Sequence, residues 1–121
     1  FQTRLRVEHW DVALNAPEVA AATLLGEDAV YDPVPYFWSE QFGHMVQFAG
    51  HFVDGARLLY RGEPEGKWSA VWLTADDALV AVLAVDRPRD LVQGRRIIGA
   101  NGHLDVKRLV DPEVPLRDCV V

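Results

Sequence analysis

Residues 77–86 read DALVAVLAVD. The run from Ala78 to Val85 is apolar at every position, so neither face of this segment is polar. A strand with that pattern is expected in the middle of a sheet, covered on both faces. The segments before it alternate instead. KWSAVWLT (67–74) places Trp68, Ala70 and Trp72 on one face. ARLLYRG (56–62) groups Leu58 with Tyr60 and puts Arg57 and Arg61 opposite. HMVQFAGH (44–51) sets Val46 and Phe48 together. Each reads as a strand. The connectors FVDG, GEPEG and ADD are short turns, which predicts antiparallel pairing in a meander. RLRVEHW (4–10) also alternates, with Leu5 and Val7 on one side, and reads as a further strand.

Two helices flank these strands. DVALNAPEVAAATLLG (11–26) is rich in Ala and Leu, with Asp11 suited to cap its start and Gly26 its end. Pro17 inside it predicts either a kink or a helix that begins only there. PRDLVQGRRII (88–98) starts with a proline suited to a first turn and stops at Asn101-Gly102. Leu91, Gly94 and Ile98 share a stripe, and Gly94 would let the helix backbone approach the sheet. VKRLVDP (106–112) is a short last helical turn. Residues 27–36, with Asp28, Asp32, Pro33 and Pro35, carry loop chemistry. The class is α+β: an antiparallel sheet of about four to five strands with flanking helices.

The 121 residues suffice for one domain with one core. Twelve basic residues against eighteen acidic give a net charge of −6, and no basic block exceeds Arg95–Arg96. That leaves no electrostatic footprint for nucleic acid or an anionic membrane. The longest apolar run is far too short to span a bilayer. The lone Cys119 cannot form an internal disulfide, and a reducing cytoplasm is the expected setting. The chain opens on Phe1 in strand-like sequence, which reads as a piece excised from something longer.

Self-contained chemistry is hard to find. His44 and His51 are an odd number of residues apart on one strand, so they point to opposite faces. Neither they nor His9 and His103 form a metal-binding pattern. Ser39 and Ser69 lie outside any nucleophile elbow, and no glycine-rich phosphate loop is present. No catalytic residue and no metal ligand is assigned. Two aromatic stretches remain: Glu8-His9-Trp10-Asp11 at an expected strand-to-helix turn, and PVPYFWSEQF (33–42). Tyr36, Phe37 and Trp38 are consecutive and cannot all face one way. A flat ring beside polar groups is what a planar cofactor needs. Trp68 and Trp72, alternating along a strand, read as core. For Trp10 and Trp38, at loop edges, core and cofactor wall both stay open on the residues alone.

Several stretches carry a family resemblance: RVEHWDVAL (6–14), AAATLLG (20–26), VPYFWSEQF (34–42), FAGH (48–51), LLYRG (58–62), AVLAVDRP (81–88) and DPEVPL (111–116). Together they resemble the C-terminal part of bacterial FAD-dependent ferredoxin reductases, of which putidaredoxin reductase and rhodocoxin reductase are type members. The apoptosis-inducing factor is a more distant relative. The resemblance implies a parent oxidoreductase with an FAD domain, an NAD(P)H domain and this C-terminal domain. Electrons pass from NAD(P)H to FAD and then singly to a ferredoxin that feeds an oxygenase. It places Glu8, His9 and Trp10 against the flavin and the incoming nicotinamide, and Trp38 beside the flavin ring. Residues 1–26 would belong with the FAD domain and residues 27–121 with the C-terminal domain.

On that basis the chain covers one side of the flavin and shapes the nicotinamide and ferredoxin approaches. Alone it is expected to be inactive, to hold no cofactor and to cover its exposed helix face by repacking or by forming a homodimer. The chain departs from the family in having Glu40 where Asp is usual and Pro17 where the helix usually runs on. His44, His51 and Phe52 receive no role. The choice between NADH and NADPH belongs to another domain. The alternative reading is a free-standing α+β binding or assembly module without redox function.

Overall fold

The computed structural model describes residues 2–121. Five strands form one antiparallel sheet: β1 (Tyr36–Gln41), β2 (His44–Gly50), β3 (Arg57–Arg61), β4 (Trp68–Leu73) and β5 (Leu79–Val85), in the spatial order β1-β2-β5-β4-β3. The expected class is therefore the observed one, and β5 is the middle strand. The connection from β2 to β3 is not the expected hairpin, because β2 lies on the far side of β5. A plain meander would have left β5, the most apolar strand, on an edge. Placing β2 beyond it covers both of its sides. The crossing spans three strand spacings, about 14 Å, and the six residues 51–56 can reach about 20 Å when extended.

Residues 4–8 do not form the expected strand. Their alternation persists, with Leu5 and Val7 half-buried and Arg4, Arg6 and Glu8 exposed, but no neighbouring strand completes a ladder. The strand that the sequence reading passed over is β1. Phe42 and Gly43, both at positive φ, close it onto β2 in a two-residue hairpin with Gln41 opposite His44.

Helix α1 (Trp10–Leu24) starts at His9 rather than at Asp11, and Asp11 lies in its first turn. It runs through Pro17 without a break, the ring being on an exposed position. Its end is as expected. Gly26 takes φ +84°, its N–H donates to the Thr23 carbonyl, and the Glu27 N–H donates to the Ala22 carbonyl. None of its residues is buried; Val19 and Ala22 are half-covered and Leu24 and Leu25 are exposed.

Helix α2 (Pro88–Gly99) packs on β5 and β2. A methyl at Gly94 would come within 2.7 Å of Val82 Cγ1, so the missing side chain does set the approach. Asn101, at φ 52°, ends the helix: its N–H donates to the Ile98 carbonyl and the Gly102 N–H to the Ile97 carbonyl. Helix α3 (Val106–Leu109) is capped by the Asp105 carboxylate, which accepts from the Lys107 and Arg108 N–H groups. A 3-10 turn, Leu116–Cys119, closes the chain on the core.

All helices except α1 cover one sheet face. Beneath them lie Ala49, Val71, Val82, Ala84, Leu91, Ile97, Ile98, Leu109 and Leu116. This face also holds charge. Arg61 is 0% exposed. Its guanidinium donates to the carbonyls of Leu109, Asp111 and Val114, and its Nε approaches Asp90 Oδ2 at 3.4 Å. That carboxylate also accepts from Ser69 Oγ at 2.7 Å and Arg87 Nε at 2.8 Å. The expected two-faced pattern of β3 holds, but Arg61 is inside and Leu58 and Tyr60 are exposed.

Among the described residues no helix packs on the other sheet face. It carries linked aromatics: Phe37 on Phe48, Phe48 and Phe52 against Trp72, and Tyr60 against Trp68. Trp68 and Trp72 were expected in the core and are instead half-covered on this open face.

Candidate functional site

Edge strand β1 brings the second aromatic stretch into register. Tyr36 and Trp38 point to the helix-covered side, and Phe37 points to the open side, as strand alternation requires. Trp38 is therefore not on a loop; it is the third residue of an exposed edge strand. The chain enters this strand through Pro33 and Pro35, which hold it extended.

The start of α1 meets β1 at both faces. The His9 ring stacks on Phe37 with centroids 4.6 Å apart. Trp10 meets Trp38 edge to face at 5.5 Å, with the rings 80° apart. Tyr36 lies nearly parallel to Trp38, at 5.8 Å. Trp10 and Trp38 remain 61% and 42% exposed, so neither is core.

Glu8, His9, Trp10, Tyr36, Phe37 and Trp38 line one open cleft of about 210 Å³. All four residues singled out in the sequence thus meet at one place. Pockets that enclose a small molecule run from about 300 to 1,000 Å³. By itself this cleft offers a stacking wall and an edge of polar groups; a larger open cleft of about 500 Å³ adjoins it and shares Glu8, His9, Tyr36 and Phe37. The carboxylate of Glu8 is exposed, and among the described residues its ionic neighbour is Arg6 at 3.9 Å.

The residues that hold this wall in place were not visible in the sequence. Arg95, on α2, lies over the Tyr36 ring at 5.0 Å, donates to the Val34 carbonyl at 3.2 Å and sits 3.5 Å from Asp11 Oδ2. Gln47 reaches the Tyr36 hydroxyl at 3.3 Å. Nothing in their spacing points to this role, because it depends on α2 packing on β5 and β2, next to edge strand β1.

The remaining candidates lie elsewhere. His44 pairs with Asp86 at 2.6 Å beside the hairpin tip, and His103 with Asp76 at 3.1 Å. The Asp86 carboxylate also accepts from the Met45 N–H. It is held below the usual Asp range, first by the His44 hydrogen bond and then by that N–H. Cys119 is buried, which pushes its thiol up and disfavours the thiolate. Among the described residues no three His, Cys, Asp or Glu side chains converge on a metal position, and no helix is long and apolar enough to cross a membrane.

An antiparallel sheet with helices on one face, a bare aromatic face and a tryptophan-lined edge defines an α+β domain with a shallow aromatic cleft. The chain belongs to the family described as Reductase C-terminal, which matches residues 36–120, and it is the C-terminal domain of ferredoxin reductases. It is 40% identical over 114 residues to the ferredoxin–NAD(+) reductase component of the anthranilate 1,2-dioxygenase system of Burkholderia cepacia. That match covers 93% of this chain and 28% of the relative. Among solved structures, Fdr9 matches with a TM-score of 0.85 and 42% identity, covering 94% of this chain and 30% of that one. Putidaredoxin reductase, in its covalent complex with putidaredoxin, matches with a TM-score of 0.82 and 29% identity, covering 95% and 28%. The chain thus spans under a third of the length of these relatives.

Proposed function

We propose that the chain acts as the C-terminal portion of an FAD-dependent NAD(P)H:ferredoxin oxidoreductase, in which it walls one side of the flavin. The observation that carries this is the convergence of Glu8, His9, Trp10 and Trp38 on one open, aromatic cleft. In this reading residues 1–26 belong with the FAD domain of the parent and residues 27–121 form the C-terminal domain.

The fit to a flavin is that of a wall only. No phosphate-binding glycine loop is present, so the dinucleotide must be held elsewhere in the parent. Trp38 would lie beside the ring, Trp10 would buttress Trp38, and Glu8 and His9 would border the nicotinamide approach. When bound, FAD supplies the hydride-to-single-electron conversion. The chain's own contribution is to exclude water and to orient the two approaches.

Charge supports a protein acceptor on the helical side. Seven of the twelve basic residues fall within residues 87–117, against four acidic ones, on a chain of net charge −6. A basic layer on an acidic chain suits an acidic electron carrier such as a ferredoxin.

The test is Trp38→Ala in the full-length parent. Aromatic contacts of this kind are worth about 0.5–1.5 kcal/mol, which is up to about tenfold in rate or affinity. The expected result is a shifted flavin absorption band and a slower ferredoxin reduction of that order. If band and rate are both unchanged, Trp38 does not face the flavin.

A further inference from the structure

One arginine touches both segments that carry the indole pair. Arg95 belongs to α2, an element with no residue in the cleft, yet it touches both segments that line it. Its guanidinium covers Tyr36, which lies nearly parallel to Trp38. It bonds to the Val34 carbonyl two residues before Tyr36 and faces the carboxylate of Asp11, the residue after Trp10. The contacts therefore close a loop: Arg95 to Tyr36, Tyr36 to Trp38, Trp38 to Trp10, and by way of Asp11 back to Arg95. A planar guanidinium can stack on a ring and donate in its own plane at once; an ammonium cannot do both.

We propose that Arg95 is the positioning residue of the cleft: it fixes the edge-to-face geometry of Trp10 and Trp38 by clamping the start of α1 to β1. The clamp matters because little else holds α1. That helix buries no residue, and its indole is more than half exposed. The role in the parent rests on the flavin-wall reading; the clamp itself does not.

The experiment measures the near-ultraviolet circular dichroism of the indole pair. The pair's share is the difference between the chain and its Trp38→Phe variant, taken with and without Arg95→Gln. Far-ultraviolet dichroism and melting temperature are followed alongside. The expected result is that Arg95→Gln removes more than half of the pair signal while the fold persists, and that Arg95→Lys, which keeps the charge facing Asp11 but not the stack, removes less. Retention of more than half of the signal in Arg95→Gln overturns the proposal. Should that variant fail to fold, Asp11→Asn opens the same loop from its other end and is read by the same threshold. A companion spectrum of the flavin in the full-length Arg95→Gln parent separates the two ideas. A lost pair signal with the flavin band and the ferredoxin-reduction rate both unchanged leaves the clamp standing and removes the flavin wall.

Discussion

At the scale of single residues, two charged groups behave differently because their surroundings differ. Asp90 is buried and accepts from Arg61, Ser69 and Arg87. Removing one partner of a buried ion pair costs about 3–5 kcal/mol, because the other charge is left without compensation. Asp90→Ala is therefore expected to lower stability by that amount in a urea titration. A loss below about 1 kcal/mol, the range of exposed pairs, would mean that the two arginines are held without it. Asp86 is a matter of pH. Its folded value lies below the ordinary Asp value of about 3.9. A carboxyl whose folded value is depressed stabilises the fold above the unfolded value, and that stability is lost as pH falls through the folded value. Asp86 sits at φ 54°, a conformation Asn adopts readily, so Asp86→Asn changes the charge without straining the turn. Melting temperatures from pH 7 to pH 2 should show the variant less stable at the top of the range and the gap closing below about pH 4. A constant gap would show that the His44–Asp86 bond does not depend on the carboxylate's charge.

At the scale of elements, what was legible in the sequence was what neighbours in sequence decide. The central place of β5 follows from its unbroken apolar run, and the ends of α1 and α2 follow from Gly26 and from Asn101-Gly102. What was not legible depends on contacts far along the chain. Residues 4–8 have the alternation of a strand and no partner, whereas YFWSEQ, interrupted by three adjacent aromatics, found one in β2. The two-residue Phe42-Gly43 turn ahead of an alternating run was the available signal for β1. The order of β2 and β3 required asking which arrangement covers β5, and short connectors alone point to the wrong one. At the site, the chemistry of the residues singled out the two aromatic stretches and left Trp10 and Trp38 open between core and cofactor wall; the family resemblance named Glu8, His9, Trp10 and Trp38, and Arg95 was missed because it lies on another element. Gly94 tests the contact that fixes α2 on the sheet. Ala gains about 1 kcal/mol over Gly in a helix interior. Here its methyl would stand 2.7 Å from Val82 Cγ1 and 3.4 Å from Leu116, and overpacking of a tight core costs about 1–3 kcal/mol. Gly94→Ala is expected to be destabilising on balance in a thermal melt. A stabilised variant would show that α2 can ride up from the sheet without loss.

At the scale of the molecule, the two faces of the sheet ask for different surroundings. The helical side is closed over a core and carries most of the basic residues. The open side presents Phe52, Leu58 and Tyr60, each more than 40% exposed, next to half-covered Phe48, Trp68 and Trp72. Leu14, Leu24 and Leu25 add a second uncovered apolar strip along α1. Monomeric proteins rarely leave apolar patches larger than about 300–600 Å² open to water. If the chain is part of the parent proposed above, more than three times as long by the length of the relatives, the remaining domains are the natural cover for both. The 121-residue chain alone has only itself, so it should associate as its concentration rises. Sedimentation velocity across a hundredfold concentration range would show this as a rising average mass. The double variant Leu58→Lys, Tyr60→Lys places two like charges on edge strand β3 and should shift the chain back toward monomer. An unmodified chain that stays monomeric throughout would show that the aromatic ladder is satisfied by its own ring contacts, and that the parent's other domains need not sit on this face.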